Sequence, residues 1–222
     1  MRFIVTAGPT REHLDPVRFL SNPSTGRMGF AVARAAQAAG HDVTLIAGPV
    51  ALRTPPGVRR VDVVSARDML AAVLAEISGA SDRPSVAPPV TVLVMTAAVA
   101  DWRPARRAKA KLKKSEMSDT LKLVRNPDIL KTVKRLAGPL IRIGFAAETG
   151  TPDAEAARKC RDKGLDLVVG NDVTRRGSGF GTNTNRVTFV TPDGRVQPLP
   201  LMSKLAVARR IVAFAERIAS HG

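Results

Sequence analysis

Apolar residues along the chain fall into two alternating patterns: short continuous runs, and longer stretches where they recur every three or four positions. The runs predict strands at Arg2–Ala7, Asp42–Ala47, Arg59–Val64, Val90–Thr96, Leu140–Phe145 and Leu165–Gly170. The periodic stretches predict helices at about Gly26–Ala39, Ala66–Ser78, Asp128–Ala137, Asp153–Lys163 and Lys204–Ser220. Ser65 with Asp68 reads as a capping box, and Ser203 as a further N-cap. Pro192-Asp193-Gly194 lies between the runs Arg186–Thr191 and Arg195–Leu199 and signals a hairpin. Strand–helix alternation of this kind predicts an α/β fold: a Rossmann-like, doubly wound, mostly parallel sheet with a small antiparallel C-terminal addition. No internal repeat is visible. The one polar, proline-rich connection is Gly79–Pro89, so residues 1–222 read as a single domain.

The stretch Ser21-Asn22-Pro23-Ser24-Thr25-Gly26-Arg27-Met28-Gly29 lies between the first strand and the first helix, where such folds bind phosphate. Backbone N–H groups at a helix start point at anions, and the helix dipole favours negative charge there. Gly8, Gly26 and Gly29 allow close backbone approach, while Asn22, Ser24 and Thr25 offer short polar contacts. The dinucleotide fingerprint is not present: about fifteen residues, Arg11 to Thr25, separate strand from helix. The second strand, Asp42–Ala47, also ends without the acid that holds an NAD ribose.

A second strand end, Met95-Thr96-Ala97-Ala98-Val99-Ala100-Asp101-Trp102, places small residues and then a carboxylate at the carboxyl edge of the sheet. A base or ribose could lie on such a backbone with Asp101 bonding to the nucleotide. Taken alone, Asp101 reads first as a helix N-cap or a surface ion pair. Lys109-Ala110-Lys111-Leu112-Lys113-Lys114 would suit a flexible lid closing over a triphosphate, although a lysine run alone is ordinarily solvated surface. Asn126-Pro127-Asp128 begins a further helix with its own backbone donors. Phe145 could stack on a base or simply fill the core. Lys159 and Lys163, four apart, share one helix face. Cys160 between them reads as an incidental thiol. Gly177-Ser178-Gly179-Phe180-Gly181 reads as a loop. His13, His41 and His221 have no metal-ligand spacing, so no metal site is assigned.

Composition narrows the partners. The chain has 222 residues, 44% of them hydrophobic but only 4% aromatic, so the core must be built from Ala, Val, Leu and Ile. A single cysteine rules out an internal disulfide framework. No apolar run is long enough for a membrane span. With no leader segment recognisable, a cytoplasmic setting without membrane partners is expected. The formal charge is +16, and the stretch from Val99 to Arg135 holds twelve Lys/Arg against four Asp/Glu. Such a patch suits a polyphosphate, although most of the charge reads as solvated arginine. Nucleic acid is not expected as a partner, because aromatics for base stacking are nearly absent.

Taken together, the segments resemble the phosphopantothenate–cysteine ligases. The resemblance rests on Thr6-Ala7-Gly8-Pro9-Thr10-Arg11-Glu12, Leu14-Asp15-Pro16-Val17-Arg18-Phe19-Leu20-Ser21-Asn22, Gly26-Arg27-Met28-Gly29, Ala97-Ala98-Val99-Ala100-Asp101, Lys111-Leu112-Lys113-Lys114, Asn126-Pro127-Asp128-Ile129, Gly144-Phe145-Ala146-Ala147-Glu148-Thr149 and Asn171-Asp172-Val173. These occur in family order and cover nearly the full length. The resemblance implies that 4′-phosphopantothenate is joined to cysteine through an acyl-nucleotide, with CTP as co-substrate in the bacterial branch and Mg²⁺ carried by the triphosphate. It implies catalytic roles for Asn22, in turnover of the acyl-nucleotide, and for Lys111, in its formation. Nucleotide contacts are implied for Met95, Thr96, Ala97, Asp101, Lys111, Pro127, Asp128, Ile129, Leu130, Phe145, Lys159 and Lys163. Substrate contacts are expected from Arg18, which would reach the phosphate, and from Asn22 and Ala98. The family's active unit is a homodimer whose subunits complete each other's sites. In many bacteria the domain follows a flavin-dependent decarboxylase; here only the ligase half is matched, leaving association with a separate decarboxylase open. Two departures are Pro23, which removes a backbone donor, and Thr25 in place of the usual serine. Two other classes stay open at this stage: a nicotinamide-dependent oxidoreductase, which shares the fold type, and a basic nucleic-acid-binding module.

Overall fold

The computed structural model describes residues 1–79, 89–113, 119–136, 139–148, 153–172, 177–179 and 181–220. Of the residues singled out above, Lys114, Thr149, Val173, Phe180, His221 and most of the Gly79–Pro89 connection lie outside them.

Eight strands form the central sheet: β1 (Arg2–Ala7), β4 (Asp42–Ala47), β5 (Arg59–Asp62), β6 (Thr91–Met95), β9 (Leu140–Glu148), β10 (Leu167–Asp172), β12 (Val187–Val190) and β13 (Val196–Pro198). Their order across the sheet is β5-β4-β1-β6-β9-β10-β12-β13. The first six are parallel, and β12 and β13 add antiparallel pairs. The expected mostly parallel sheet with an antiparallel addition is therefore what forms.

Side-chain alternation divides the sheet between two helical layers. Phe3, Val5, Val43, Leu45, Val92 and Val94 pack with α1 (Arg27–Ala38) and α5 (Lys204–Ala219). Ile4, Ile46, Leu93 and Met95 pack with α2 (Ala66–Ser78) and α3 (Ile129–Val133). Both faces of the parallel strands are thus covered, and their sequence reads as unbroken apolar runs for that reason. With few aromatics, close backbone packing supplies the density. A Cβ built on Gly29 would lie 2.5 Å from Ala7 Cβ and 2.5 Å from Thr96 Oγ1, so α1 sits directly on the β1–β6 seam.

Caps and lengths follow local chemistry. Ser65 Oγ accepts from the Asp68 amide and Asp68 returns the bond, completing the expected capping box. Ser203 Oγ accepts from Ala206 N at 3.1 Å. The third helix is shorter than expected, ending at Val133, and β9 is longer, running on to Glu148. Three small antiparallel pairs were not evident from the pattern: β2 (Arg11–His13) with β3 (Phe19–Ser21), β7 (Trp102–Pro104) with β8 (Leu123–Arg125), and β11 (Thr184–Asn185) with β14 (Met202–Ser203). Their two or three residues are too few to show a period. The first pair occupies most of the span separating strand from helix, and the second forms the base of the arm that carries the lysine run.

Candidate functional site

After β1 the chain turns toward β4 and β5, whereas β6, β9 and β10 extend the sheet on the other side. Ligands in open α/β sheets bind at such a reversal, beyond the carboxyl ends of the strands. Two adjoining cavities of about 500 Å³ each lie there and share Ala97, Val99, Asp101, Phe145 and Lys163.

The first cavity is built by the start of α1. Gly26 caps the helix with φ 77°, a conformation costly for any residue with a Cβ, and no side chain caps it. Ser24 Oγ accepts from Gly26 N at 3.4 Å, which orders the turn before it. Asn22 is not part of that cap. Its Nδ2 donates to Ala98 O at 3.1 Å, fixing the amide beside the loop after β6. The same loop is tied to the first strand: Ala98 N donates to Gly8 O at 2.9 Å and Thr96 Oγ1 to Thr6 O at 2.6 Å. Asn22, Ser24, Thr25, Gly26, Gly29, Thr96, Ala97, Ala98, Asp101, Phe145, Lys159 and Lys163 all line this cavity. Gly8, expected in the phosphate loop, has φ 80° and backs the Gly26 turn, but it does not line the cavity.

Met95, Ile129 and Leu130 give the second cavity an apolar patch, beside Pro127, Asp128, Arg125 and Lys131, and it shares Phe145 and Asp101 with the first. Asn126 holds this wall, since its Nδ2 donates to Ala100 O at 2.8 Å and its amide to Asp101 O at 2.8 Å. Asp128 caps the short α3 through Lys131 N at 3.1 Å and pairs with Lys163 Nζ at 3.1 Å. Asp101 is exposed and is followed by a strand, so it is not a helix cap.

Besides Gly8, two residues expected at the site, Arg18 and Lys111, do not line either cavity within one chain. Arg18 is committed elsewhere: Nε and Nη2 donate to Asp15 Oδ2 at 2.9 and 2.5 Å, and Nη2 also donates to Leu112 O at 2.8 Å. Asp15 is fully buried. Burial would raise its pKa, but the Arg18 guanidinium and the amides of Val17, Arg18 and Leu112 outweigh it and hold the carboxyl well below the usual carboxylate range. Lys111 is exposed, and its neighbour Leu112 is fastened to this Asp15–Arg18 pair. The lysine segment is therefore anchored at its start rather than loose throughout.

Two residues lining the first cavity carried no signal in the sequence: Asn185 and Lys204 join Arg27, a member of the Gly26–Gly29 motif, there. Lys204, the first residue of α5, is 6% exposed, and its Nζ donates to Gly179 O at 2.8 Å and Thr182 O at 2.6 Å. Burial, and after it the nearby Arg27 cation, pushes this lysine down to about 8. In sequence it is merely the residue after an N-cap. Gly177–Gly181, read as a loop, contributes Gly179 to the same wall. Cys160 is buried; its Sγ lies 3.2 Å from Val190 O, and burial pushes the thiol up to about 11, in keeping with an incidental role. Among the described residues no group of three or more His, Cys, Asp or Glu could hold a metal ion. Nor is any helix among them long and apolar enough to cross a membrane.

The geometry offers two joined cavities: small residues, helix-start amides and cations line the first, Phe145 stands where they meet, and Met95, Ile129 and Leu130 give the second an apolar patch beside Arg125, Asp128 and Lys131. Comparison with known proteins gives concordant matches. The DNA/pantothenate metabolism flavoprotein C-terminal domain family matches residues 1–218. The Coenzyme A biosynthesis bifunctional protein CoaBC of Vibrio vulnificus (strain YJ016) is 43% identical over 221 residues, covering 98% of this chain and 52% of that protein. The protein of the same description from Bacillus subtilis (strain 168) is 46% identical over 210 residues, covering 94% and 49%. The chain thus spans about half the length of the curated relatives it matches. A crystal structure of the C-terminal domain of such a protein superposes with a TM-score of 0.81 at 41% identity, covering 100% of this chain and 98% of that one.

Proposed function

The chain belongs to the DNA/pantothenate metabolism flavoprotein C-terminal domain family, and on that premise we propose that it is a ligase of coenzyme A biosynthesis joining 4′-phosphopantothenate to cysteine. The observation that carries the reading is the paired cavity at the sheet reversal, with a glycine-rich helix start in one half, Ile129 and Leu130 in the other, and Phe145 shared by both. A nucleotide has that polarity: phosphates suit the helix-start amides, and a base suits the apolar end.

A carboxylate does not acylate an amine directly. In the proposed sequence the pantothenate carboxylate oxygen attacks the α-phosphorus of CTP, and pyrophosphate leaves with the electron pair of the broken P–O bond. The cysteine amine then attacks the acyl carbon and CMP departs, taking the carboxylate oxygen with it. Mg²⁺ enters with the triphosphate. Lys111 acts in the first step, offsetting charge as pyrophosphate separates. Asn22, fixed by Ala98 O, acts in the second, with its amide beside the developing oxyanion.

Lys111 and Arg18 lie outside both cavities of their own chain, which supports a homodimer in which each subunit completes the other's site, Arg18 lying on the side of the substrate phosphate. Exposed Val17, Phe19, Trp102, Leu121 and Leu123 on the two small hairpins and the adjoining arm favour burial against a second copy. The reaction is assigned to the cytoplasm. Incubation with 4′-phosphopantothenate, cysteine, Mg²⁺ and CTP or ATP should give phosphopantothenoylcysteine by mass, faster with CTP. Equal turnover with ATP would remove the nucleotide preference, and absence of product with either would remove the ligase assignment.

A further inference from the structure

Lys204 is a long way in sequence from every residue assigned above, yet it closes the glycine end of the first cavity. Three observations converge on it. Its ammonium is buried and held by the carbonyls of Gly179 and Thr182, at 2.8 and 2.6 Å. Its own amide donates to Asn183 O at 2.9 Å, so side chain and backbone grip the same loop. From the opposite side, Arg27 Nη1 donates to Asn183 Oδ1 at 2.5 Å, so the start of α1 and the start of α5 hold that loop between them. Carbonyl oxygens solvate an ammonium without neutralising it, so the site keeps a positive charge in a poorly hydrated wall.

We infer that Lys204 is a positioning residue for the terminal phosphates of the nucleotide: it locks the loop carrying Gly179, Thr182 and Asn183 against the start of α1 and fixes a positive charge there. The inference rests on the nucleotide reading of the paired cavity. It explains why an ammonium is buried at this point at all, since a methionine would fill the same volume without the desolvation cost. A polyanion at the helix start would draw on that charge, whereas a nucleoside monophosphate bound through its base would scarcely reach it. Burial lowers the pKa of this lysine, and a polyanion alongside would favour its charged form.

The test uses the full chain with Mg-CTP and CMP as probes, measured by calorimetry. In Lys204→Gln the amide can still donate to carbonyls but carries no charge; in Lys204→Met both are lost. CTP affinity should fall roughly tenfold or more in Lys204→Gln, while CMP affinity changes less than about twofold. Affinity for CTP should also decline between pH 7 and 9 in the unmodified protein, more steeply than in Lys204→Gln. Among the described residues, the other charged groups facing this cavity are Arg27, Asp101, Lys159 and Lys163, the last paired with Asp128, and they set the baseline common to both proteins. That pH comparison holds even where Lys204→Met does not fold. Wild-type affinity for CTP in Lys204→Gln, or an equal loss for CTP and CMP, would reduce Lys204 to a loop tether and overturn the inference while leaving the nucleotide reading in place. Failure of the unmodified protein to bind either probe would overturn both.

Discussion

At the scale of single residues, the amide of Asn22 and the ammonium of Lys111 sit in opposite settings, and their variants should fail differently. Lys111 is exposed, so Lys111→Gln should cost no more than about 0.5 kcal/mol of stability. It should nevertheless abolish pyrophosphate release measured without cysteine, because a cation over a separating phosphate acts only in the transition state. Near-normal release would return Lys111 to the solvated surface. Asn22→Ala removes the donor to Ala98 O and should leave acyl-cytidylate formation largely intact. Transfer to cysteine should slow on the order of 10²-fold, with the intermediate accumulating in a quenched single turnover. A capping role for Asn22 is already disfavoured, since α1 is capped by Gly26 without a side chain. The loop side chains that line the first cavity, Asn22, Ser24 and Thr25 among them, could be picked from the sequence because they occur in short ordered motifs. Lys204 could not, since nothing in Ser203-Lys204-Leu205 signals that its side chain is buried in a cavity wall.

At the scale of elements, the fit of α1 against the sheet is the most constrained feature. Gly29→Ala would gain helix propensity of about 1 kcal/mol. The new Cβ would nonetheless meet Ala7, Thr96 and, at 2.9 Å, the Thr6 carbonyl. Overpacking of that kind should give a net loss of about 1–3 kcal/mol and displace the helix start from the cavity, seen as a lower Tm together with weaker nucleotide binding. The turn containing Asp15 and Arg18 anchors the lysine segment through Leu112. Because the Asp15 carboxyl titrates well below its unfolded value of about 4, its stabilisation is complete at neutral pH. It begins to be lost below about pH 4 and disappears as pH falls through the folded value. Asp15→Asn should therefore lower the Tm at pH 7 and flatten its dependence on pH between about 4 and 2; a parallel acid profile in the variant would exclude this link. Long strands and helices were legible because burial on both faces, or on one stripe, imposes a period. The hairpins β2–β3 and β7–β8 were not, because pairs of three residues with half-exposed faces leave no period to detect.

At the scale of the whole molecule, strand order explains why distant segments meet. The chain reverses direction across the sheet between β1 and β6, and this brings Asn22, Ala98, Phe145 and Lys159 around one space. The doubly wound sheet could be inferred from alternating elements, whereas the joining of two cavities into one elongated site depends on side-chain packing that no local pattern encodes. Completion of the site across subunits gives a sharp expectation. Mixing Asn22→Ala with Lys111→Gln under subunit exchange should restore about a quarter of wild-type turnover, because each mixed dimer would contain one intact site. No restoration would place both residues in the same subunit's site. The central claim is activation of a carboxylate through its own oxygen, and isotope transfer tests it most directly. With 4′-phosphopantothenate labelled with ¹⁸O in the carboxylate, turnover in the presence of CTP and cysteine should deliver one labelled oxygen to CMP, with unlabelled pyrophosphate. Label appearing in inorganic phosphate, or amide product formed with unlabelled CMP, would contradict the acyl-cytidylate and with it the proposed reaction.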